Sequence, residues 1–459
     1  MRLRSRIKNV EDGGGSLTRV MSIDDTLATV MPVCKEIGVT RISDITFMDR
    51  LYIPNYSTTL PGTDDVFWVY GGKGTTKTQA KVSALMESIE RYSSMRSTNP
   101  RTAIKANYLH LSNSFSKVLY PAEVTEPISL GYNEASTIDY LTGFDLLNNE
   151  EILVPAEIAY YRYFPKYPAV SVFQCSHTNG LASGNVLEEA ICHALCEVIE
   201  RDAVSIADLC ASCIPYNIVE KMGESFEAAN CVDSHLLDSI GAKFVDDPTI
   251  YPDVEIDEVT REFPTIKNLL RKFTDAGIPL MIKNITQKDI HIPTIAASSI
   301  DWITHDYGLF AKGYGTHLDS RVALIRAITE LSQTRAANIQ GARDDLKRIQ
   351  YKDKDEIYKR KWPYMPSSLS LTGQNREHNV INFSEIRTYV NKDILTDINF
   401  ILSVLKEAGI RRAIIVNLTN PDIGIPVVRA IVPGLETFEV TQSVMGSRAK
   451  KCFNRLFNS

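Results

Sequence analysis

Hydrophobic and polar residues alternate along this chain with two different periods, and each period predicts one type of secondary structure. Apolar residues recur every three or four positions from Ile23 to Ile37 and from Ile398 to Ala408, as in helices that bury one face. Short runs rich in apolar residues predict strands at Val39 to Thr46, Arg412 to Leu418 and Val427 to Val432. Because helices and strands alternate, the pattern predicts an α+β (mixed α/β) fold.

One arrangement of residues occurs three times along the chain: a glycine-rich turn followed by an amphipathic helix that contains alanine. The three segments are 71–94, 178–204 and 313–337. Each helix carries polar residues at positions i, i+4 and i+7, which form one stripe because an α-helix has 3.6 residues per turn. The residues of these stripes are Ser83, Glu87, Glu90, His193, Glu197, Glu200, Arg326, Glu330 and Gln333. We therefore expect three helices that face a common polar centre.

A strand predicted from Asp65 to Tyr70 leads into the first of these segments. It is expected to end at Gly71 and Gly72, so that residues 71–74 form a turn just before the helix. Backbone N–H groups at a helix N-terminus favour an anion, and Lys73 adds a positive charge. The turn lacks the GxxxxGK[ST] spacing of a P-loop, so it does not identify a nucleotide site by itself.

Carboxylates form two pairs one helical turn apart, Glu87 with Glu90 and Glu197 with Glu200. Two negative charges about 4 Å apart repel by about 4 kcal/mol at an effective dielectric constant near 20, so four carboxylates in one cavity need protons or cations. Oxygen ligands without His or Cys suit Mg²⁺, which commonly shares carboxylates with nucleotide phosphates. A single Glu-x-x-Glu-Arg is more typical of a solvated helix face, but its repetition on two helices favours a metal site.

The composition narrows the classes of partner. The chain has 50 Lys and Arg against 56 Asp and Glu, and this net charge of -6 provides no overall positive field for nucleic acid or an anionic membrane. No stretch approaches the roughly 18 to 20 apolar residues that span a bilayer, and the N-terminus has no apolar core of a secretory signal. We expect a cytoplasmic protein with neither a nucleic-acid nor a membrane partner.

The 8 cysteines are spaced irregularly, which is not typical of a small disulfide-rich domain. Reduced thiols are therefore expected. Cys210 and Cys213 form a single CxxC without a second pair of ligands, so they do not predict a zinc site, and their role stays open.

Several stretches, in the same order, resemble the motifs of the YcaO family. They are Gly72-Lys73-Gly74 through Ser83-x3-Glu87-x2-Glu90-Arg91, Asn179-Gly180 through Glu197-x2-Glu200-Arg201, Arg326-x3-Glu330-x2-Gln333, Gly341-Ala342-Arg343-Asp344-Asp345, Pro421-Asp422-Ile423-Gly424-Ile425-Pro426 and Val432-Pro433-Gly434-Leu435-Glu436. The resemblance implies a YcaO-type fold with three related Gly-turn/helix segments around a polar nucleotide site. It also implies an enzyme that phosphorylates a peptide amide oxygen with ATP and Mg²⁺.

The resemblance assigns roles to residues at matching positions. Metal binding is implied for Glu87, Glu90, Glu197 and Glu200. Contacts with ATP are implied for Lys73, Ser83, Arg91, His193, Arg326, Glu330, Gln333 and Arg343. No residue is assigned as a catalytic base, which is consistent with phosphoryl transfer by positioning and charge neutralisation.

Members of the family differ in the nucleophile that attacks the amide. A Cys, Ser or Thr side chain of the substrate gives an azoline ring, whereas external sulfide gives a thioamide. Azoline-forming members often end in a Pro-rich tail, but this sequence ends KKCFNRLFNS and has no fused partner domain. Thioamide formation is therefore favoured.

The resemblance to archaeal thioamide-forming members implies a protein substrate, the alpha subunit of methyl-coenzyme M reductase, in which a glycine becomes thioglycine. It further implies a TfuA-type partner that delivers sulfur, and a homodimer. Two alternatives stay open: an azoline-forming cyclodehydratase of a ribosomal peptide pathway, and a non-catalytic accessory protein for ribosomal-protein methylthiolation.

The sequence predicts four regions. Residues 1–20 are expected to form a flexible tail that contains three consecutive glycines, and residues 21–64 an N-terminal α/β segment. Residues 65–440 correspond to the YcaO-like ATP-binding catalytic domain, and residues 441–459 to a C-terminal tail. The charged and polar stretch 344–378 is expected to form a surface excursion within the third region.

Overall fold

The computed structural model describes residues 1–9, 18–114, 117–164, 170–209, 251–304, 307–341, 380–441 and 444–458. The α-helices are α1 (Ile23–Glu36), α2 (Lys77–Ser93), α3 (Tyr108–Ser114), α4 (Ala156–Ala159), α5 (Leu187–Asp208), α6 (Glu258–Arg261), α7 (Pro264–Ala276), α8 (Ser320–Gln340), α9 (Ile394–Glu407), α10 (Phe438–Thr441) and α11 (Ser447–Asn458). The strands are β1 (Arg41–Asp44), β2 (Asn55–Thr59), β3 (Val69–Lys73), β4 (Ile104–Ala106), β5 (Ile138–Asp145), β6 (Glu150–Pro155), β7 (Leu181–Ser183), β8 (Asp253–Glu255), β9 (Met281–Asn284), β10 (Thr294–Thr304), β11 (Tyr307–Thr316), β12 (Val380–Asn382), β13 (Ile414–Asn417) and β14 (Val427–Ile431).

The strands of the described part form three sheets. The first has the order β1-β2-β3, and the second, with five strands, has the order β11-β10-β9-β8-β12. The third has the order β4-β5-β13-β14-β7, and β6 also pairs with β5. Pairing is antiparallel except between β12 and β8. Helices and sheets together confirm the predicted α+β fold.

Helix α5 lies between the two larger sheets, which explains why most of its side chains are buried. Its residues Leu195 and Ile199 pack with α9 and the six-stranded sheet. Near its end, Val204 and Ala207 pack with Tyr314 of the five-stranded sheet. Helices α1 and α2 cover the opposite face of the six-stranded sheet, and α7 and α8 cover the five-stranded sheet. None of the helices in the described ranges is long and apolar enough to cross a membrane.

The glycines of the repeated segments allow strands to contact helices closely. A Cβ atom on Gly72 would lie 2.1 Å from the backbone N of Ala84 in α2, and one on Gly315 would lie 2.0 Å from the backbone O of Ala323 in α8. A Cβ on Gly184 would lie 2.6 Å from the backbone N of Ala190 in α5. Only glycine fits such contacts between a strand and a helix backbone.

The predicted turn at residues 71–74 is wrong, because Gly71, Gly72 and Lys73 belong to β3, which begins four residues after Asp65. Helix α2 starts later, at Lys77, and Thr76 caps it by accepting a hydrogen bond from the backbone N of Gln79. The predicted anion site at this helix N-terminus is therefore not formed by these glycines. These glycines instead allow β3 to pack closely against α2. A turn and a close backbone contact both require glycine, so the two give the same pattern in the sequence.

Part of the expected N-terminal tail contacts the body. Ile7 forms a β-bridge with Asp393 of the loop before α9, and Lys8 makes a 2.5 Å ion pair with the buried Asp397. Arg6 pairs with Glu188 at 3.2 Å. These basic side chains neutralise buried carboxylates, so burial of charge orders residues that look unstructured in the sequence.

The expected C-terminal tail also differs, since it contains α11. Arg448 of this helix binds Asp202 of α5 at 2.8 Å, and the carboxylate of Glu436 accepts hydrogen bonds from the backbone N of Gly446 and of Ala449. Acceptors at a helix N-terminus satisfy otherwise unpaired N–H groups.

Other predicted elements are confirmed with small shifts: α1 and β1, α9, β13 and β14. The predicted surface excursion over residues 344–378 lies outside the described residues, as do Cys210 and Cys213. Cys34, Cys175, Cys192 and Cys196 are free thiols, as expected.

Candidate nucleotide and metal site

A cavity of about 570 Å³ lies among helices α2, α5 and α8 and strand β3. All three polar stripes line it, so the expected common polar centre is confirmed. The predicted site residues that line it are Lys73, Ser83, Glu87, Glu90, Arg91, His193, Glu197, Glu200, Arg326, Glu330 and Gln333. Arg343 lies outside the described residues. The shared cavity is a structural result, whereas the roles of these residues with metal or ATP stay predictions.

Helix α2 presents a carboxylate pair held by one arginine. Arg91 donates hydrogen bonds to Oε1 of Glu87 at 3.1 Å and to Oε1 of Glu90 at 2.9 Å. Burial raises the pKa of Glu90 to about 8, because Arg91 only partly offsets the lost hydration and the charge of Glu197 opposes ionisation. Glu90 therefore favours a proton at neutral pH unless a cation replaces it.

Helices α5 and α8 bring further carboxylates to the same cavity. Burial raises the pKa of Glu200 to about 7, and the charge of Glu330 adds to this effect. Burial also raises the pKa of Glu197, although Arg201 opposes the rise. Glu330 behaves differently: burial acts to raise its pKa, but Lys73 and Arg201 hold it below its usual value. Lys73 is in direct contact with Glu330, so β3 and α8 are joined by an ion pair at the cavity wall.

The four carboxyl groups expected in one cavity all line it, but they are not arranged as a complete metal site. Within the described ranges, no group of three or more His, Cys, Asp or Glu residues is placed to hold a metal ion by itself. Glu87 and Glu90 both pair with Arg91, so the protein itself neutralises part of their charge. Repulsion between the carboxylates is thus relieved by Arg91 and by the protonation that raised pKa values favour, rather than by a preformed ligand shell.

The model of one sequence family covers most of this chain. It is described as the YcaO cyclodehydratase, which binds ATP and Mg²⁺, and it matches residues 71–436. The chain belongs to the YcaO family. The family and its cofactors, ATP and Mg²⁺, are as the sequence analysis expected.

Two relatives of this YcaO protein match over nearly its full length. An uncharacterized protein of Methanothermobacter thermautotrophicus is 34% identical over 419 residues, which are 90% of this chain and 94% of the relative. A protein of Rhizobium leguminosarum bv. trifolii, described only by its position in the tfuA 3' region, is 27% identical over 91% of this chain and 88% of its own.

Solved structures support the YcaO fold. A heterocyclase in complex with substrate and cofactor has a TM-score of 0.69 at 20% identity and is matched by 95% of this chain. The match covers 54% of that heterocyclase, so this chain spans about half of its length. The YcaO protein from Methanopyrus kandleri bound with AMPPCP and Mg²⁺ has a TM-score of 0.66 at 19% identity, over 94% of this chain and 95% of its own.

The carboxylates of this YcaO protein suit Mg²⁺ that is only partly coordinated by protein. Mg²⁺ keeps several waters and commonly takes one or two carboxylates together with substrate phosphates, so it needs no complete protein ligand shell. Glu90, Glu197 and Glu200 all have raised pKa values from burial and provide negative charge that a cation would stabilise. The donor set therefore fits the metal of the family.

Other groups in the cavity suit a nucleotide. The Nδ1 atom of His193 is buried and has no hydrogen-bond partner, and burial together with Arg326 holds the pKa of this histidine well below its usual value. His193 is thus neutral and has an unused ring nitrogen. Gln333 lies against Gly71, where a Cβ would approach its Nε2 atom to 2.7 Å, so glycine leaves room for this amide. Arg326 donates to the backbone O of Thr316 at 3.1 Å.

Several residues that line the cavity were not predicted from the sequence. Gln79 and Glu189 lie one turn before the predicted stripes of α2 and α5, so extending each stripe by four residues would have found them. Arg19 and Thr26 come from the N-terminal segment. Arg19 pairs with Glu189 at 3.5 Å, and the backbone N of Val20 donates to Glu189 at 2.6 Å. No local pattern indicates that this distant segment reaches the site.

Proposed function

We propose that this YcaO protein uses ATP and Mg²⁺ to phosphorylate the oxygen of a backbone amide, and that external sulfide turns the amide into a thioamide. The observation that carries the ATP-dependent step is the convergence of three polar stripes on one cavity of about 570 Å³. Such a cavity is large enough for a nucleotide, since ligand pockets typically measure about 300 to 1,000 Å³. Its charged lining distinguishes it from an apolar ligand pocket.

The residues have distinct roles in this proposal. Glu87, Glu90, Glu197 and Glu200 hold Mg²⁺, which would neutralise charge on the phosphates. Lys73, Ser83, Arg91, His193, Arg326, Glu330, Gln333 and Arg343 position the nucleotide. Phosphoryl transfer depends mainly on positioning and charge neutralisation, so a lining of carboxylates and cations is adequate without a covalent intermediate on the protein.

The reaction balances with sulfide as the nucleophile. Sulfide adds to the amide carbonyl carbon, and the resulting oxygen anion takes the γ-phosphoryl group, so that ADP leaves. Loss of phosphate and of one proton then leaves a C=S bond. Net, the amide oxygen leaves in inorganic phosphate and sulfur takes its place, without any change of oxidation state that needs another reactant.

The relatives support the choice of sulfide. One relative lies in a tfuA 3' region, and another comes from a methanogen, Methanothermobacter thermautotrophicus. On this basis we propose that a TfuA-type partner delivers sulfur and that the substrate is a glycine in the alpha subunit of methyl-coenzyme M reductase. We further propose that the protein acts as a homodimer.

Mass spectrometry tests the product. A peptide that contains the substrate glycine is incubated with enzyme, ATP, Mg²⁺ and sulfide. We expect a mass gain equal to sulfur minus oxygen, because one amide oxygen is exchanged for sulfur. The gain should vanish when sulfide is omitted and when a non-hydrolysable ATP analogue replaces ATP.

The second candidate is azoline formation, which is favoured by the cyclodehydratase description of the family and by the heterocyclase with a TM-score of 0.69. In that reaction a Cys, Ser or Thr side chain of the substrate attacks the amide, and one water is lost. Loss of water without sulfide, dependent on such a residue beside the modified carbonyl, would establish azoline formation and exclude the thioamide.

Binding of ATP is expected to depend strongly on Mg²⁺. Without the cation nothing bridges the phosphates to the carboxyl groups of Glu87, Glu90, Glu197 and Glu200, so affinity should fall at least about tenfold in excess chelator. Isothermal titration calorimetry with ATP, with and without Mg²⁺, measures the effect. Equal affinity in both conditions would contradict the metal assignment, and no binding in either would favour a non-catalytic accessory protein.

A further inference from the structure

A small cavity of about 30 Å³, separate from the nucleotide cavity, lies beside Val198 of α5. Val198, the neighbour of Glu197 in α5, lines it together with Glu126, His177, Asn179 and Arg429. Three of these residues are almost fully buried: Glu126 and Asn179 are 7% exposed and Arg429 is 2% exposed. Charged and polar groups are thus enclosed next to Val198, one residue along α5 from the proposed metal ligand Glu197.

Hydrogen bonds in this cluster fix the protonation of its histidine. The backbone N of Asn179 donates to Nδ1 of His177 at 3.2 Å, so this ring nitrogen is an acceptor. The other nitrogen, Nε2, lies 2.9 Å from Oε1 of Glu126 and must donate to it. Arg429 donates to the backbone O of His177 at 2.9 Å and reaches Nδ1 at 3.3 Å. A neutral histidine therefore connects the carboxylate of Glu126 to the guanidinium of Arg429.

Three buried atoms of this cluster lack partners: Oε2 of Glu126, Oδ1 of Asn179 and Nε of Arg429. Two are acceptors and one is a donor. A single water has the two donors and the acceptor that these three atoms need. The cavity of about 30 Å³ exceeds the space of about 10 to 15 Å³ that a buried water needs.

Arg429 also interacts electrostatically with a residue of the nucleotide site. Burial lowers its pKa to about 10, and the charges of Glu126 and Glu197 act in the opposite direction. Arg429 in turn acts to lower the pKa of Glu197. The charge of Arg429 is thus coupled both to Glu126, which it reaches through His177, and to Glu197 at the proposed metal site.

We propose that Arg429 is a positioning residue for Glu197, held away from the metal by Glu126, His177 and one buried water. This inference rests on the proposed role of Glu197 as a magnesium ligand. If Glu126 loses its charge, Arg429 keeps carboxylate partners only on the side of the metal site. It then pairs more strongly with Glu197 and competes with Mg²⁺.

Glu126→Gln tests the proposal, because the amide keeps the shape and can still accept from His177. Binding of the ATP analogue AMPPCP is measured by calorimetry while Mg²⁺ is varied, and thermal unfolding is followed in parallel. We expect the half-saturating Mg²⁺ concentration to rise about tenfold, as for loss of other groups that orient metal ligands. Affinity for AMPPCP without Mg²⁺ should not fall, because the site has lost a negative charge. The control is Glu157→Gln, because Glu157 accepts hydrogen bonds from Ser171 and from the backbone N of Val172 instead. This control should leave the half-saturating Mg²⁺ concentration and the affinity for AMPPCP unchanged.

The outcomes separate the proposals. Failure of the parent protein to bind AMPPCP with Mg²⁺ would overturn the proposed function. If the parent binds normally and Glu126→Gln keeps the same Mg²⁺ dependence, only the role of Arg429 is overturned. The same conclusion follows if the affinity of Glu126→Gln for AMPPCP weakens equally with and without Mg²⁺ and its unfolding temperature falls. Should Glu126→Gln fail to fold, a crystal structure of the parent decides: a water bonded to Glu126, Asn179 and Arg429 supports the network, and an empty cavity overturns it.

Discussion

Glu197→Gln is expected to lower ATP-dependent turnover by about 100-fold or more while the protein stays folded. The loss is large because a neutral amide neither neutralises nor binds Mg²⁺ as a carboxylate does, and loss of one preorganised electrostatic group commonly costs about 10² to 10³ in rate. Stability should change little, since burial raises the pKa of Glu197 and disfavours its charge in the protein without metal, and the amide has nearly the same shape. Glu87→Gln should have a similar effect on turnover.

Phosphate release and thermal unfolding measure the two parts of this prediction. Glu188→Gln is the matched control on the same helix: Glu188 is 2% exposed, but it binds Arg6 and the backbone N of Arg4 rather than lining the nucleotide cavity. The control should retain turnover even if its unfolding temperature falls. Turnover near that of the parent in Glu197→Gln would instead show that Glu197 is not a magnesium ligand.

Gly315→Ala is expected to destabilise the fold by about 3 kcal/mol or more, a large value for one added methyl group in a packed interior. Its Cβ would lie 2.0 Å from the backbone O of Ala323, 2.7 Å from the backbone N of Ala327 and 2.8 Å from the Cβ of Arg326. Backbone atoms cannot rotate away as a side chain can, so β11 and α8 must separate. This separation also moves Arg326, so ATP affinity should fall with stability.

Urea-induced unfolding compares Gly315→Ala with Gly131→Ala. The control adds the same methyl group, but its nearest neighbour is the flexible side chain of Val170 at 3.5 Å, an ordinary contact distance. The control should change the free energy of unfolding by less than about 0.5 kcal/mol. A similarly small change for Gly315→Ala would show that β11 and α8 are not in close contact.

The polar stripes were predictable because they depend on spacing within single helices. Residues at i, i+4 and i+7 share a face whatever the surroundings, so the spacing alone groups Ser83, Glu87 and Glu90. The glycines were not predictable in the same way. A glycine marks either a turn or a close backbone contact, and the sequence around Gly72 does not distinguish the two.

The sequence alone predicted α1, α9, the three helices with polar stripes and the membership in the YcaO family, because each depends on residues close together in the chain or on their order. The packed structure was needed to show that Lys73 of β3 pairs with Glu330 of α8, that Arg19 reaches the nucleotide cavity, and that Arg429 shares a small cavity with Val198 of α5. These features depend on contacts between residues far apart in sequence. The pKa values of Glu90 and Glu200 follow from the same cause, since burial and neighbouring charges arise only when the sheets and helices pack together.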